Sequence, residues 1–298
     1  MQSIISLLRQ LKVVVLAQAE PTLKSIDKIS MKKKLYKIFL LFFIYPIGVA
    51  NANIIKNDQY CHATIIDLIG HTLKLKNFRQ NLNGNGVIIS SVCKALPKEK
   101  NTIVAAIAYT SEENSKIEGI SKKELFLSLI DTRSNKILSS YRSFIIEDAS
   151  MRLEENSLRI DTAAYYLAGG VRAFGLDISG DYMPNCGDGS IGARRTLYIR
   201  EEEKIRPVLE DFFMSTSWFI KGSNCQQNEN ERVVEHFQRS ISVGKNVNHG
   251  FNDLLITIKS EIDDGSQSKR KPFYFTLNYD GKTYSTKLFE ESYLKWQR

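Results

Sequence analysis

The chain has 298 residues, 43% of them apolar, with 41 Lys and Arg against 33 Asp and Glu and four cysteines. That is an ordinary globular composition, and it excludes a disordered chain, a collagen-like repeat and a polytopic membrane protein. The formal charge of +8 would by itself suggest a nucleic-acid partner.

The first element in the chain removes that suggestion. Met31-Lys32-Lys33-Lys34-Leu35-Tyr36-Lys37 forms a basic opening, Ile38 to Val49 an apolar stretch, and Ala50-Asn51-Ala52 a small-x-small cleavage site. The apolar run of about 13 residues falls short of the roughly 20 needed to span a bilayer, and Pro46 interrupts it. Residues 31–52 are therefore expected to be a secretory signal peptide, and residues 1–30 an extension of the gene model upstream of the true start at Met31. The alternative for 1–30 is a genuine extension with a short amphipathic helix over Ile4 to Leu16. Residues 1–52 carry eight Lys/Arg and two acids, so residues 53–298 keep 33 basic and 31 acidic residues, a net of +2. A nucleic-acid partner is not expected, because a phosphate-steering charge must sit on the folded domain. Stable membrane insertion after cleavage is not expected either. The destination is the periplasm, with secretion as the alternative.

The cysteines agree with export, since an even number suits an oxidising compartment. Cys61 with Cys93 and Cys186 with Cys225 are the simplest local pairs, although three connectivities are possible. There is no CxxC pair, and no metal site is expected from these residues.

From Asn53 onward one β-rich domain is expected, without a linker. Leu73 and Leu75 alternate with Lys74 and Lys76, and Leu125, Leu127 and Leu129 share one face. Leu158, Ile160 and Thr162 alternate with Arg159 and Asp161, and Phe273, Phe275, Leu277 and Tyr279 oppose Tyr274, Thr276 and Asn278. Period-two alternation is the signature of half-buried strands. Reversals are predicted at Ser134-Asn135, Glu154-Glu155-Asn156, Glu201-Glu202-Glu203-Lys204 and, as a type I′ turn, at Asp280-Gly281. No segment keeps a 3.6-residue period over three turns, so long helices are not expected. Many short antiparallel strands must hide their edges, which leaves a sandwich, a barrel or a propeller.

Two segments favour the propeller, with a β-sandwich as the alternative. Asn81-Leu82-Asn83-Gly84-Asn85-Gly86-Val87-Ile88-Ile89 and Asn246-Val247-Asn248-His249-Gly250-Phe251-Asn252-Asp253-Leu254-Leu255-Ile256 both run from an Asn/Gly-rich turn into an apolar strand. The second resembles the FG-GAP or VCBS type of repeat, each copy of which forms a propeller blade in that family. The resemblance implies a calcium-holding loop, but Asn83, Asn85, Asn248 and Asn252 stand where acids are usual and only Asp253 is a carboxylate. No cofactor is therefore expected, with calcium the one candidate. Exported proteins with such loops include inhibitors and immunity proteins against wall-degrading toxins, which the resemblance extends to this chain.

Catalytic motifs are incomplete. Gly187 to Gly192 has Asp188 where the G-x-S-x-G elbow needs glycine, and Ser242-Val243-Gly244-Lys245 and Ser266-Gln267-Ser268-Lys269 match S-x-x-K without a K-T-G partner. Of the four histidines, His71 is placed at a Gly70-His71 bend, His236 in a strand and His249 at a loop tip near Asp253. No catalytic residue is assigned. Arg194 and Arg195 after the glycine-rich Cys186 loop, and Trp218 before the Cys225 loop, are the residue types that dominate interface hot spots. With His249 and Asp253 they form the expected binding set. The expected function is an exported, non-enzymatic binding protein with a protein partner, inhibiting an envelope-degrading enzyme. The alternative is a hydrolase of envelope polymers.

Overall fold

The computed structural model describes residues 59–81, 85–111, 121–148, 151–180, 189–225, 232–263 and 270–297. The predicted leader, residues 1–52, lies outside them, as do Asn83 and Cys186. The described chain opens with helix α1 (Ala63–Leu73) and closes with helix α2 (Lys287–Gln297). Between them run β1 (Ile88–Ala95), β2 (Thr102–Tyr109), β3 (Ser121–Asp131), β4 (Lys136–Glu147), β5 (Leu158–Ala168), β6 (Val171–Ile178), β7 (Gly189–Ile191), β8 (Arg194–Glu201), β9 (Lys204–Phe213), β10 (Ser215–Lys221), β11 (Val233–Asn248), β12 (Phe251–Ile262) and β13 (Phe273–Leu277).

The expected all-β, predominantly antiparallel character holds. The strands form an eight-stranded sheet in the order β1-β2-β3-β4-β9-β8-β6-β5, curled into a nearly closed barrel, and a five-stranded sheet in the order β13-β12-β11-β10-β7. This corrects the propeller expectation, since a propeller needs repeated blades of about four strands around an axis. The two Asn/Gly-rich segments are not equivalent: the first leads into β1 through an isolated bridge of Gln80 with Ile88, while the second is the β11–β12 hairpin itself.

The barrel is two antiparallel halves, β1 to β4 and β5-β6-β8-β9, that meet at two narrow seams. At one, β4 and β9 run parallel and share the single pair Ser140 with Lys204. At the other, β1 and β5 are joined by side chains. Gln59 donates from Nε2 to the Ile160 carbonyl at 2.9 Å and accepts the Ile160 N–H on Oε1 at 2.6 Å, so its amide copies a strand's hydrogen-bonding edge. Its own carbonyl accepts the Cys93 N–H at 2.8 Å. Ser90 adds to this seam by donating to the Glu155 carbonyl and accepting from the Leu158 N–H. The Cys61–Cys93 disulfide, one of the two expected, fixes the segment that carries Gln59. Cys225 is also disulfide-bonded.

Strand alternation assigns three cores. Val104, Ala106 and Ala108 of β2 point into the barrel with Leu125, Leu127 and Leu129 of β3, facing Ile160, Phe174 and Tyr198 from the other half. The alternate residues Ala105 and Ile107 meet Ile65 and Ile69 of α1 outside the barrel. Gly70 permits that approach, because a side-chain carbon there would press on Phe78 at 3.0 Å. Leu73 to Lys76 is therefore not a strand. Leu73 ends α1, and Lys74 stops it in the left-handed conformation, at φ 56°, with its N–H bonded to the His71 carbonyl. His71 is inside the helix, not at a bend. The third core lies between the outer face of β5-β6-β8-β9 and the five-stranded sheet, and Phe289, Tyr293 and Trp296 of α2 close it against Phe237 and Phe273.

The turns at Asn135 and Glu202 have the left-handed residue that tight reversals need. At Asp280-Gly281 only Gly281 has positive φ, and Asp280 N–H bonds the Thr283 carbonyl, so the turn centres on Gly281-Lys282 with the φ pattern of type II′. The paired positive φ of type I′ occurs at His249-Gly250 instead.

Candidate binding site at the edge of the five-stranded sheet

Strand β11 shows why one end of the second sheet is set apart. Glu235, Phe237, Arg239 and Ile241 are buried, while His236, Gln238, Ser240 and Ser242 face solvent. Its partner β10 continues both faces: Thr216 pairs with buried Phe237, and Ser217 pairs with exposed His236. Beyond Thr216 the buried face runs out of cover. Trp218 pairs with Glu235, Ile220 lies in the irregularity between Phe219 and Lys221, and Ile191 of edge strand β7 pairs with Thr216. These three are 39%, 54% and 57% exposed, an apolar set along a short sheet edge. Trp218 stands directly opposite Gly189, and a side-chain carbon at Gly189 would collide with the Ser217 carbonyl oxygen and crowd the indole. Glycine is thus required for β7 to pair.

The opposite face of the same strands carries a polar cleft of about 340 Å³. Ser217 Oγ and His236 Nδ1 are hydrogen-bonded at 2.8 Å across the β10–β11 ladder. Phe219 pairs with Val234 on this face, and Ser190, Arg232 and Asp263 complete the lining. Cys225 follows the cleft residue Asn224.

The expected binding residues fall in different places. Trp218 is at the apolar edge. Arg195 is not a surface contact: its side chain makes a bidentate pair with Asp177, Nε at 2.6 Å and Nη2 at 2.8 Å, and Nη1 reaches Asp161 at 2.5 Å and the Tyr165 hydroxyl at 2.9 Å. Burial works against the guanidinium charge, but the hydrogen bonds and charge of Asp177, with Tyr165 and Asp161, outweigh it and raise the pKa. Burial raises the Tyr165 hydroxyl pKa as well. Gly175 opens the lane for this arrangement, since a side-chain carbon there would meet Asp161 and the Arg195 stem. Arg194 faces the other way and donates to Met151 Sδ at 2.6 Å.

His249 and Asp253 belong to the far end of the β11–β12 hairpin, His249 in its turn and Asp253 in β12. His249 is 14 residues beyond Glu235, about 45 Å along an extended strand, at the hairpin tip. Asp253 is buried and accepts a hydrogen bond from Asn248 Nδ2 at 2.6 Å, so the expected calcium carboxylate is committed to its own hairpin. Among the described residues no cluster of three or more His, Cys, Asp and Glu is placed to hold a metal ion. The sequence pointed to Trp218 and Phe219 ahead of the Cys225 loop but not to Ile191, Ile220, Ser217 or the partnering of His236. Their grouping depends on strand register, and the only local signal was the strict alternation from Glu235 to Ser242.

No family model, curated protein or solved structure matches this chain.

Proposed function

We propose that the protein is an exported, non-enzymatic binding protein that engages a protein partner through the edge formed by Ile191, Trp218 and Ile220, and that the partner is an enzyme degrading the cell envelope. The observation that carries this reading is the exposure of three large apolar side chains along one sheet edge, two of them, Ile191 and Trp218, on one face whose backbone is fixed by ladder pairing. Contiguous exposed apolar groups mark interaction surfaces, and tryptophan is the residue most enriched among interface hot spots. The edge is flanked by a disulfide-bonded cysteine, Cys225, which limits the entropy lost when the surface is covered. The Cys61–Cys93 bridge and the leader-like Met31 to Ala52 segment support a periplasmic or secreted setting.

The test is capture of partners from envelope extract by the oxidised full chain, repeated with Trp218→Ala and Ile220→Ser. The reading expects a stoichiometric envelope-degrading enzyme that loses activity when bound, with binding weakened by about tenfold or more in either variant at unchanged thermal stability. Equal capture by wild type and both variants would remove the edge from the interaction.

One observation favours a second reading, hydrolysis of an envelope polymer. The Ser217 hydroxyl and His236 imidazole are already hydrogen-bonded in a cleft, the arrangement that activates a serine nucleophile. Covalent labelling by a fluorophosphonate, abolished in Ser217→Ala, is the result this reading requires.

A further inference from the structure

We infer that the cleft on the outer face of β7, β10 and β11 is a binding site for a neutral sugar ring, a single pyranose unit of a glycan. This goes beyond the partner-binding reading and is independent of it, because it uses the opposite face of the same strands.

The first part of the argument is the mixture of groups. Ser217 offers a hydroxyl, His236 an imidazole, Arg232 a donor-only guanidinium and Asp263 an acceptor carboxylate, all lining one cleft of about 340 Å³. A ligand whose polar groups both donate and accept is the complement of such a set, and sugar hydroxyls have that property. A purely anionic ligand would meet the Asp263 carboxylate, and a purely cationic one would meet Arg232. The second part is the floor. Phe219 and Val234 are directly paired on neighbouring strands and present apolar surface beside the polar groups. A pyranose has an apolar C–H face and a rim of hydroxyls, and an aromatic ring with hydrogen-bonding groups at its edge matches both. The third part is rigidity. Ser217, Phe219, Val234 and His236 all sit on paired strands, and the Ser217–His236 hydrogen bond holds two polar groups in place before any ligand arrives. The volume lies at the small end of ligand pockets, which suits one ring.

The experiment uses the oxidised full chain and backbone amide NMR, titrated separately with methyl glycosides of glucose, galactose, mannose and N-acetylglucosamine, with the neutral tetramer of N-acetylglucosamine, and with a uronic-acid oligomer. The expected result is saturable shifts at Ser217, Phe219, Val234 and His236 for at least one neutral glycoside, with a Kd of about 1–10 mM. Tighter binding of the tetramer than of its methyl monosaccharide would identify a polymer as the source, and equal affinity a free sugar. Phe219→Ala is expected to weaken binding about tenfold. Phe219→Leu keeps the floor apolar and the strand packed, and still loses affinity through loss of the flat ring, while Tyr274→Ser on β13 leaves it unchanged. The inference is overturned if no neutral sugar shifts these four residues, if the uronic-acid oligomer binds in preference to every neutral sugar, or if Phe219→Leu binds as well as wild type.

Discussion

Replacing Gln59 by alanine tests how the barrel closes. Gln59 is buried, and its amide makes two hydrogen bonds to one residue, Ile160, that lies 101 positions away. In Gln59→Ala both groups of Ile160 lose those partners inside the seam. The Lys94 ammonium, 3.5 Å from the Ile160 carbonyl, is only a weak substitute for one of them. A buried polar group left unsatisfied costs about 1–3 kcal/mol, so two cost about 2–6 kcal/mol. Taking about 3 kcal/mol, and about 2–4 °C per kcal/mol for a domain of this size, the melting temperature should fall by about 6–12 °C. The disulfide supplies a second handle on the same seam. It closes a loop of 32 residues, for which the chain-entropy estimate is ~3.7 kcal/mol. Because Gln59 and Cys93 are joined through the Gln59 carbonyl, the two changes should not add. Differential scanning calorimetry of Gln59→Ala, of the reduced protein and of the combination measures the coupling. Amide exchange at Ile160 reads the seam directly and should accelerate in Gln59→Ala far more than at Leu127 in the middle of β3. A melting shift under about 2 °C with Ile160 exchange unchanged would refute the assignment of Gln59 as the closing element.

Three further outcomes are expected. Arg195→Ala leaves Asp161 and Asp177 facing each other without their shared cation, and should cost about 3–5 kcal/mol in denaturant unfolding; a loss below about 1 kcal/mol would make the cluster a solvated edge after all. Gly189→Ala should release β7 from β10, which proteolysis at the edge and altered Trp218 fluorescence would report; unchanged fluorescence counts against the close packing of Trp218 on Gly189. Asp280 accepts the Thr283 and Lys282 N–H groups, which hold its pKa below the ordinary carboxylate value. Its stabilising contribution is therefore complete above that value and lost as pH falls through the lower folded one, and carboxyl-carbon NMR titration should place its midpoint below those of unbonded aspartates.

The strand content was legible where burial falls on one face or on both. Leu125 to Leu129, Leu158 to Ile160 and Phe273 to Leu277 are strands at the places their alternation predicts, since sheet pleating forces side chains to opposite faces. The closing of the barrel was not legible, because it rests on Gln59 meeting Ile160 and no local pattern announces such a pair. The change of covered face within β5 is another case: Leu158 and Ile160 point into the barrel and Tyr165 and Leu167 out of it, as plain alternation requires, but the buried positions pass from the first set to the second because the outer face there is covered by the five-stranded sheet. Leu73 to Lys76 misled for a physical reason, since four residues of alternation also fit the last turn of an amphipathic helix and its cap. Arg195 looked like a surface hot spot because its two carboxylates lie 18 and 34 positions upstream and meet it only through β-pairing. Trp218, expected as a binding residue, lies at the exposed edge of β10, but Ile191 comes beside it through strand register rather than through proximity in the chain.

The narrow seams make the barrel unequal in its response to cold. Within each half, strands are tied by ladders of backbone hydrogen bonds. Among the described residues the halves share one strand pair, Ser140 with Lys204, and a few side-chain bonds from Gln59, Ser90, Lys94 and Arg172. What chiefly holds them is apolar contact in the interior, such as Tyr141 against Tyr198 and the leucines of β3 facing Ile160 and Phe174. Apolar attraction fades as water cools, while the ladders within each half do not depend on it in the same degree. Chilling should therefore loosen the joint between two still-folded halves before either half melts, whereas heat, which attacks chain order throughout, should unravel them together.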